Sequence, residues 1–349
     1  GAIGFSGTDS LSFQISGFGR DFDDYDAPDG FETASEENAS VMVPTEKVLN
    51  SHGDSSSFAF GGATHWESGF AGISFSQYEN TYGVPGGHAE SETRLEMESD
   101  RFQARSKFEI TGSDWLRSAE LNFGYGDYNH VEIGKAHAHE EEEEEEEEEH
   151  HEEEEFEEHA KYLREGMEAR VGLSHEIGSL SGVFGIHGLF DELSIGGEES
   201  IFAGDTNSSN DITFDKINNE EAQKLAIFLI EEFELSENTL LNAGIRWEGF
   251  DRELEVFKHD DNQSGSNDLD DTSVSASAGF SHELSEGWIF SSNRSYSERI
   301  PDTAELYSYG PHHATEAFEI GNPSLDKETA IGIEVILRRT MGDFTGQLS

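Results

Sequence analysis

The feature that most limits what this chain can fold into is a period of two. Ala119, Leu121, Phe123 and Tyr125 alternate with Glu120, Asn122, Gly124 and Gly126, and Met167, Ala169, Val171 and Leu173 alternate with Glu168, Arg170, Gly172 and Ser174. The same pattern recurs at Leu241, Ala243, Ile245 and Trp247 and at Ile331, Ile333, Val335 and Leu337. A helix would need apolar positions every three to four residues, so these segments read as strands with one apolar and one polar face. Their connections fall into two kinds. Tight turns rich in Gly, Ser, Asp and Asn occur at 7–10, 66–69, 111–114, 176–179, 236–239, 284–287 and 341–344. Longer polar stretches lie between them, near 22–54, 79–92, 127–160, 192–220, 252–270 and 299–327. Turn, strand, loop, strand, turn thus repeats about seven times and predicts roughly fourteen antiparallel strands with all short connections on one side. Soluble propellers and sandwiches do not sort their loops this way. An all-β, antiparallel transmembrane β-barrel with long extracellular loops does.

Aromatic placement agrees. Trp66, Trp115, Trp288 and Phe344 sit at or beside the tight turns, where a girdle would meet the periplasmic interface. No apolar run reaches the roughly 18 residues of a transmembrane helix. The chain opens on Gly1-Ala2-Ile3-Gly4-Phe5 with no basic leader, and it stops straight after a turn at Gln347-Leu348-Ser349. The expectation is an interior piece of a longer barrel, since an open sheet edge is not tolerated in lipid.

Charge narrows the partners. Asp and Glu number 75 against 21 Lys and Arg, a formal net charge of -54. Such a surface repels nucleic acid, which binds through Lys and Arg, and attracts cations. Cysteine is absent, which removes disulfides, thiolate metal sites and thiol catalysis. Within this acidity residues 137–159 stand out: His137-Ala138-His139, the ten glutamates Glu140 to Glu149, His150-His151, four further glutamates, Phe156, Glu157-Glu158 and His159. Like charges oppose a helix and almost nothing is apolar, so the segment is expected to be a loosely structured extracellular loop. A solvated acidic loop is the plain reading. Five histidines among carboxylates also make a ligand set suited to zinc, nickel, copper or iron, holding several ions weakly. His88 at a loop tip and His312-His313 in the 299–327 loop are further candidates, whereas His175, His187 and His282 fall within strands and are expected to be packed or lumen-facing.

Two stretches carry a resemblance. Arg299-Ile300-Pro301-Asp302-Thr303-Ala304-Glu305-Leu306-Tyr307, with Phe318-Glu319-Ile320-Gly321-Asn322-Pro323-Ser324-Leu325 and Glu328-Thr329, resembles the barrel signature of TonB-dependent outer-membrane receptors. Gly310-Pro311-His312-His313-Ala314-Thr315 and Asn80-Thr81-Tyr82-Gly83-Val84-Pro85-Gly86-Gly87-His88 are similar to the zinc-uptake branch of that family. The resemblance runs through nearly all of residues 1–349 and implies a 22-strand barrel, of which this chain would hold about fourteen, with an N-terminal plug lying outside it. It implies a place in the bacterial outer membrane and coupling to the TonB–ExbB–ExbD complex through that plug. It also makes His312 a metal ligand near the outer mouth, with His88 and the histidines of 137–159 acting in capture. Glu158 to Gly166 departs from the family's usual pattern, so no glutamate ligand is carried over from there.

The function expected is import of a divalent metal ion, zinc first, as transported ligand with no prosthetic group. No triad, phosphate loop or defined carboxylate pair argues for an enzyme. The alternatives are a receptor for a siderophore, haem or copper complex, a passive cation-selective porin, and a secreted acidic β-protein of a saline habitat.

Overall fold

The computed structural model describes residues 1–8, 10–27, 32–35, 38–44, 46–85, 93–135, 156–196, 216–258, 263–307, 309–312 and 317–349. The strands in chain order are β1 (Ala2–Thr8), β2 (Leu11–Phe22), β3 (Glu32–Ser35), β4 (Asn38–Pro44), β5 (Gly53–Trp66) and β6 (Gly69–Gly83). Next come β7 (Arg94–Glu109), β8 (Leu116–Lys135), β9 (Phe156–Ile177), β10 (Leu180–Gly196), β11 (Lys216–Ser236) and β12 (Thr239–Lys258). Then follow β13 (Gln263–Ser285), β14 (Trp288–Arg299), the short helix α1 (Thr303–Tyr307), β15 (Tyr309–His312), β16 (Ala317–Ile320), β17 (Glu328–Arg339) and β18 (Gly346–Leu348). Fourteen of these make one antiparallel sheet in sequence order, with β1 and β18 at its edges; β3–β4 and β15–β16 form separate hairpins. Among the described residues no helix is long and apolar enough to cross a membrane, which says nothing of crossing by strands.

The seven expected tight turns fall between sheet neighbours, and the reason is local. Gly112, Gly178, Gly287 and Gly342 all adopt positive φ there, a backbone state that costs glycine little and other residues more. Beside the turns Trp66 meets Phe108 with ring centres 5.5 Å apart, Trp115 stacks on Phe184, and the Arg339 guanidinium lies over Trp288.

Alternation separates two faces. Leu121, Val171, Ile186, Ile227, Trp247 and Val274 form one cross-strand row, and Phe75, Phe102, Tyr125, Met167 and Phe190 another, farther from the turns. Many of these side chains are exposed, Ile186 at 52% and Ile227 at 54%, as a lipid-facing surface must be. The opposite face carries Arg105, Glu120, Asn122, Arg170, His187 and Arg246 and is therefore the lumenal one.

The loops expected at 22–54 and 299–327 fall between β2 and β5 and between β14 and β17, but the other four are shorter than expected because the strands outrun their apolar stretch. β8 reaches Lys135, β9 starts at Phe156, and β12 and β13 leave only 259–262 between them, so most of 252–270 is strand. The segment Glu158 to Gly166 lies in β9, and so does His159, which had been expected in the loop. His159 is the extra residue of a β-bulge, since Ala160 pairs with Glu132 and Glu158 with Ile133. Outside the membrane a ladder needs main-chain hydrogen bonds but no apolar face. The period-two signal therefore fades while the strand continues.

Candidate functional site at the outer end of the lumen

The segment after β14 is held by arginine and glutamate. Arg299 donates through Nη1 and Nη2 to both carboxylate oxygens of Glu305, at 2.7 and 2.8 Å, and through Nε to Glu328 at 2.9 Å. Asp302 caps α1: its Oδ1 accepts from the Thr303 amide, and its own amide donates to Glu305 at 2.7 Å, the returning half of a capping box. The spacing of Arg299, Asp302 and Glu305 in the sequence thus encodes a clamp. The Arg299 bonds, and then the Asp302 amide, lower the Glu305 carboxyl from its ordinary 4.5 to about 2. A depressed carboxylate stabilises the fold fully above its unfolded value, and that contribution fades as the pH falls through the folded one. Amide protection factors across 300–307 are therefore expected to hold from neutral pH down to about 4.5 and to fall between there and about 2. Equal protection factors at pH 6 and pH 2.5, each rate taken against its intrinsic value at that pH, would contradict the clamp.

Beyond the clamp the chain turns onto the lumenal wall. Arg252 and Glu220, only 6% and 5% exposed, form an ion pair at 2.8 Å, and the Arg252 Nη1 reaches the Pro301 carbonyl at 3.4 Å. Tyr307 packs with Ile195 against the buried Leu254, and Thr303 is fully buried. These partners all lie on lumenal positions of β10, β11 and β12. The wall thereby fixes the start of the β15–β16 hairpin, in which His312 pairs with Ala317.

Of the other sequence candidates, His88, His137, His139, His150, His151 and His313 lie outside the described residues. Among the described residues no three or more His, Asp or Glu come together as a metal-binding group. His175 is nearly buried with Nε2 3.2 Å from Glu231, and His282 meets Thr239 at 2.8 Å. His187 accepts from Arg246 at Nδ1 (3.0 Å), which places its proton on Nε2 toward Glu168 at 2.8 Å. With Arg246–Glu248 at 2.6 Å and Arg105–Glu120 at 2.7 Å, His187 and Glu168 give the lumenal wall a charged, paired lining, whereas the register puts His175 and His282 on the outward face near the turns. Sequence reasoning had Arg170, Arg246 and Glu248 as polar alternates but could not pair them, because cross-strand register is invisible in a single sequence.

Acidity is organised as well as abundant. On the outward face, one row beyond Phe102, Tyr125, Met167 and Phe190, stand Asp100, Asp127, Glu165, Glu192, Glu221, Glu253 and Asp268. Each is directly opposite the next across β7 to β13. This arc marks where the apolar band ends. A groove of about 930 Å³ lies below it on the lipid-facing side among Phe123, Met167, Leu225 and Trp247. Acyl chains would cover it, so it carries no argument about a ligand in the lumen.

An antiparallel sheet with apolar outer rows, a charged lumenal wall and short connections at one end has the architecture of an outer-membrane β-barrel. The chain matches the family described as TonB dependent receptor-like, beta-barrel over residues 5–349, and it belongs to that family. Its place is the bacterial outer membrane. Among solved structures it is similar to the copper transporter OprC (12% identity, TM-score 0.65, 99% of this chain and 50% of that one). It is also similar to the FrpB iron transporter from Neisseria meningitidis (13%, 0.63, 99% and 52%) and to the siderophore receptor PiuA from Acinetobacter baumannii (10%, 0.63, 98% and 52%). At these identities the likeness shows the fold, and the chain spans about half the length of each.

Proposed function

We propose that this chain is the barrel portion of an active importer of a divalent metal ion, with zinc as the cargo and the TonB–ExbB–ExbD complex as the energy source. The observation that carries the reading is the hairpin bearing His312, which follows a helix anchored on the lumenal wall at Arg252 and Leu254. A net charge of -54 draws cations toward it. His313, His88 and the histidines His137, His139, His150, His151 and His159 serve as capture ligands, because imidazole with carboxylate suits zinc. Copper, iron and siderophore are what the similar structures are described as handling, so a chelate receptor is the competing reading.

Calorimetry of the intact receptor tests it. Zinc should bind more tightly than calcium, and His312→Ala should weaken zinc by about tenfold or more, each decade being about 1.4 kcal/mol. Zinc binding no tighter than calcium, and indifferent to His312→Ala, would sink the reading.

A further inference from the structure

On the outward face, between the Ile227–Trp247 row and the tight turns, formal charge enters one cross-strand row. From β9 to β14 that row reads His175, Gly182, Glu231, Ala243, Ala278 and Arg294, each directly opposite the next. Glu231 lies five residues from Ser236 and Arg294 six from Trp288, so both stand well inside the apolar span. Leu229 and Ile245 rise on the outer side of the row, and Phe233, Leu241 and Phe280 on the turn side. Between Glu231 and Arg294 the two alanines leave a shallow trough, with an acid at one end and a base at the other.

Neither charge suits a surface covered by acyl chains, where an arginine is among the costliest residues. Glu231 leans over Gly182 to His175 Nε2 at 3.2 Å, and a Cβ at Gly182 would meet its carboxylate at 2.6 Å. Arg294 has no such relief. It is exposed and, among the described residues, makes no hydrogen bond or ion pair. Glu231 is three strand spacings away, about 14 Å, and leans in the other direction. The anion that would satisfy Arg294 therefore comes from outside the chain. A lipid phosphate could reach it, but Glu231 along the same trough would repel that phosphate.

We infer that the trough docks a second copy of this chain, side by side in the membrane about a two-fold axis that passes between Ala243 and Ala278. A two-fold contact is self-complementary, so Arg294 of one copy meets the partner's Glu231, and the partner's Arg294 meets Glu231. The alanines let the two walls approach closely, as small residues do where membrane-spanning elements pack. Each guanidinium–carboxylate pair is charge-assisted and shielded from water. The acidic row at the outer end does not oppose the contact. The charged row climbs away from the turns along the sheet, from two residues at His175 to six at Arg294, so the strands lean toward lower-numbered neighbours as they rise. At a tilt of roughly 40° the outer ends of β12 and β13 lie roughly 20 Å to one side of the axis, and the symmetry sends the partner's acids to the other side. The inference is independent of the cargo.

The chain has no cysteine, so a single one can report the contact. Ala278→Cys puts a thiol beside the axis, and Ile73→Cys on β6 puts one on the outward face far from it. With the intact receptor in liposomes under mild oxidation, Ala278→Cys should give far more disulfide-linked dimer than Ile73→Cys. Adding Arg294→Leu or Glu231→Gln should cut that yield by about tenfold or more, because symmetry removes two charge-assisted pairs at once. Arg294→Leu leaves an apolar residue on a lipid-facing site, so the barrel still inserts. Equal yields at positions 278 and 73, or a yield unchanged by Arg294→Leu, overturn the proposal. So does phosphatidylglycerol that native mass spectrometry finds on a monomeric parent and loses with Arg294→Leu, which would make a lipid phosphate the counter-ion.

Discussion

Arg252→Met is expected to destabilise the barrel by about 3–5 kcal/mol, the cost of leaving one member of a buried ion pair without its partner. Glu220 would be that member. Its side chain is 5% exposed and Arg252 is the ion-pair partner it has in the structure. The same substitution removes the contact to the Pro301 carbonyl and the guanidinium that lies over Phe250 at 4.6 Å. Replacing both charges, Arg252→Met with Glu220→Leu, should recover most of the loss, because a buried pair often does no better than apolar side chains of similar volume. Denaturant titration of the receptor in liposomes measures both. A single variant no worse than the double would mean that the pair is solvated. Amide exchange at 301–307 provides a second readout, and it should quicken in both variants, since both lose the bond to Pro301.

Ile186→Arg is the second large effect, about 2–4 kcal/mol for an arginine near the bilayer midplane. Ile186 lies between Val171 and Ile227 in the middle of the outward apolar rows. By exposure alone, 52%, the position looks tolerant, and in water such a change costs little. The solvent at this face is hydrocarbon. Ser277→Arg is the control, on the lumenal face at similar depth beside Gly244, and should cost roughly half a kcal/mol or less. Equal costs at the two positions would mean that the apolar face is not the outer one.

The strands and their orientation were legible because two independent signals agreed: alternation at positions such as Leu241 to Trp247, and turns sorted by length. The fourteen strands of the main sheet follow from them. The strand ends were not legible. From Gly126 outward on β8 and from Lys161 to Gly166 on β9 polar residues such as Asp127, Asn129, Lys161 and Glu165 break up the apolar face, so the pattern stops before the hydrogen-bonded ladder does. The 299–307 motif could be matched as a string, but its meaning as a clamp needed the Arg299–Glu305–Glu328 contacts.

The acidic arc across β7 to β13 also bears on how copies of this barrel sit among their neighbours. Asp127 and Glu165, or Glu221 and Glu253, are like charges directly opposite one another, an arrangement that disfavours pairing unless counterions gather. Among the described strands that row loses its charge on β5 and β6, where it reads Phe58 and Gln77. Along this part of the wall a continuous acidic row therefore adjoins an uncharged stretch of the same row. Two copies would turn their acidic flanks away from each other, with the repulsion reaching only about 8–10 Å at physiological salt. Crowding would then give the receptors a preferred rotation about the membrane normal even before they touch.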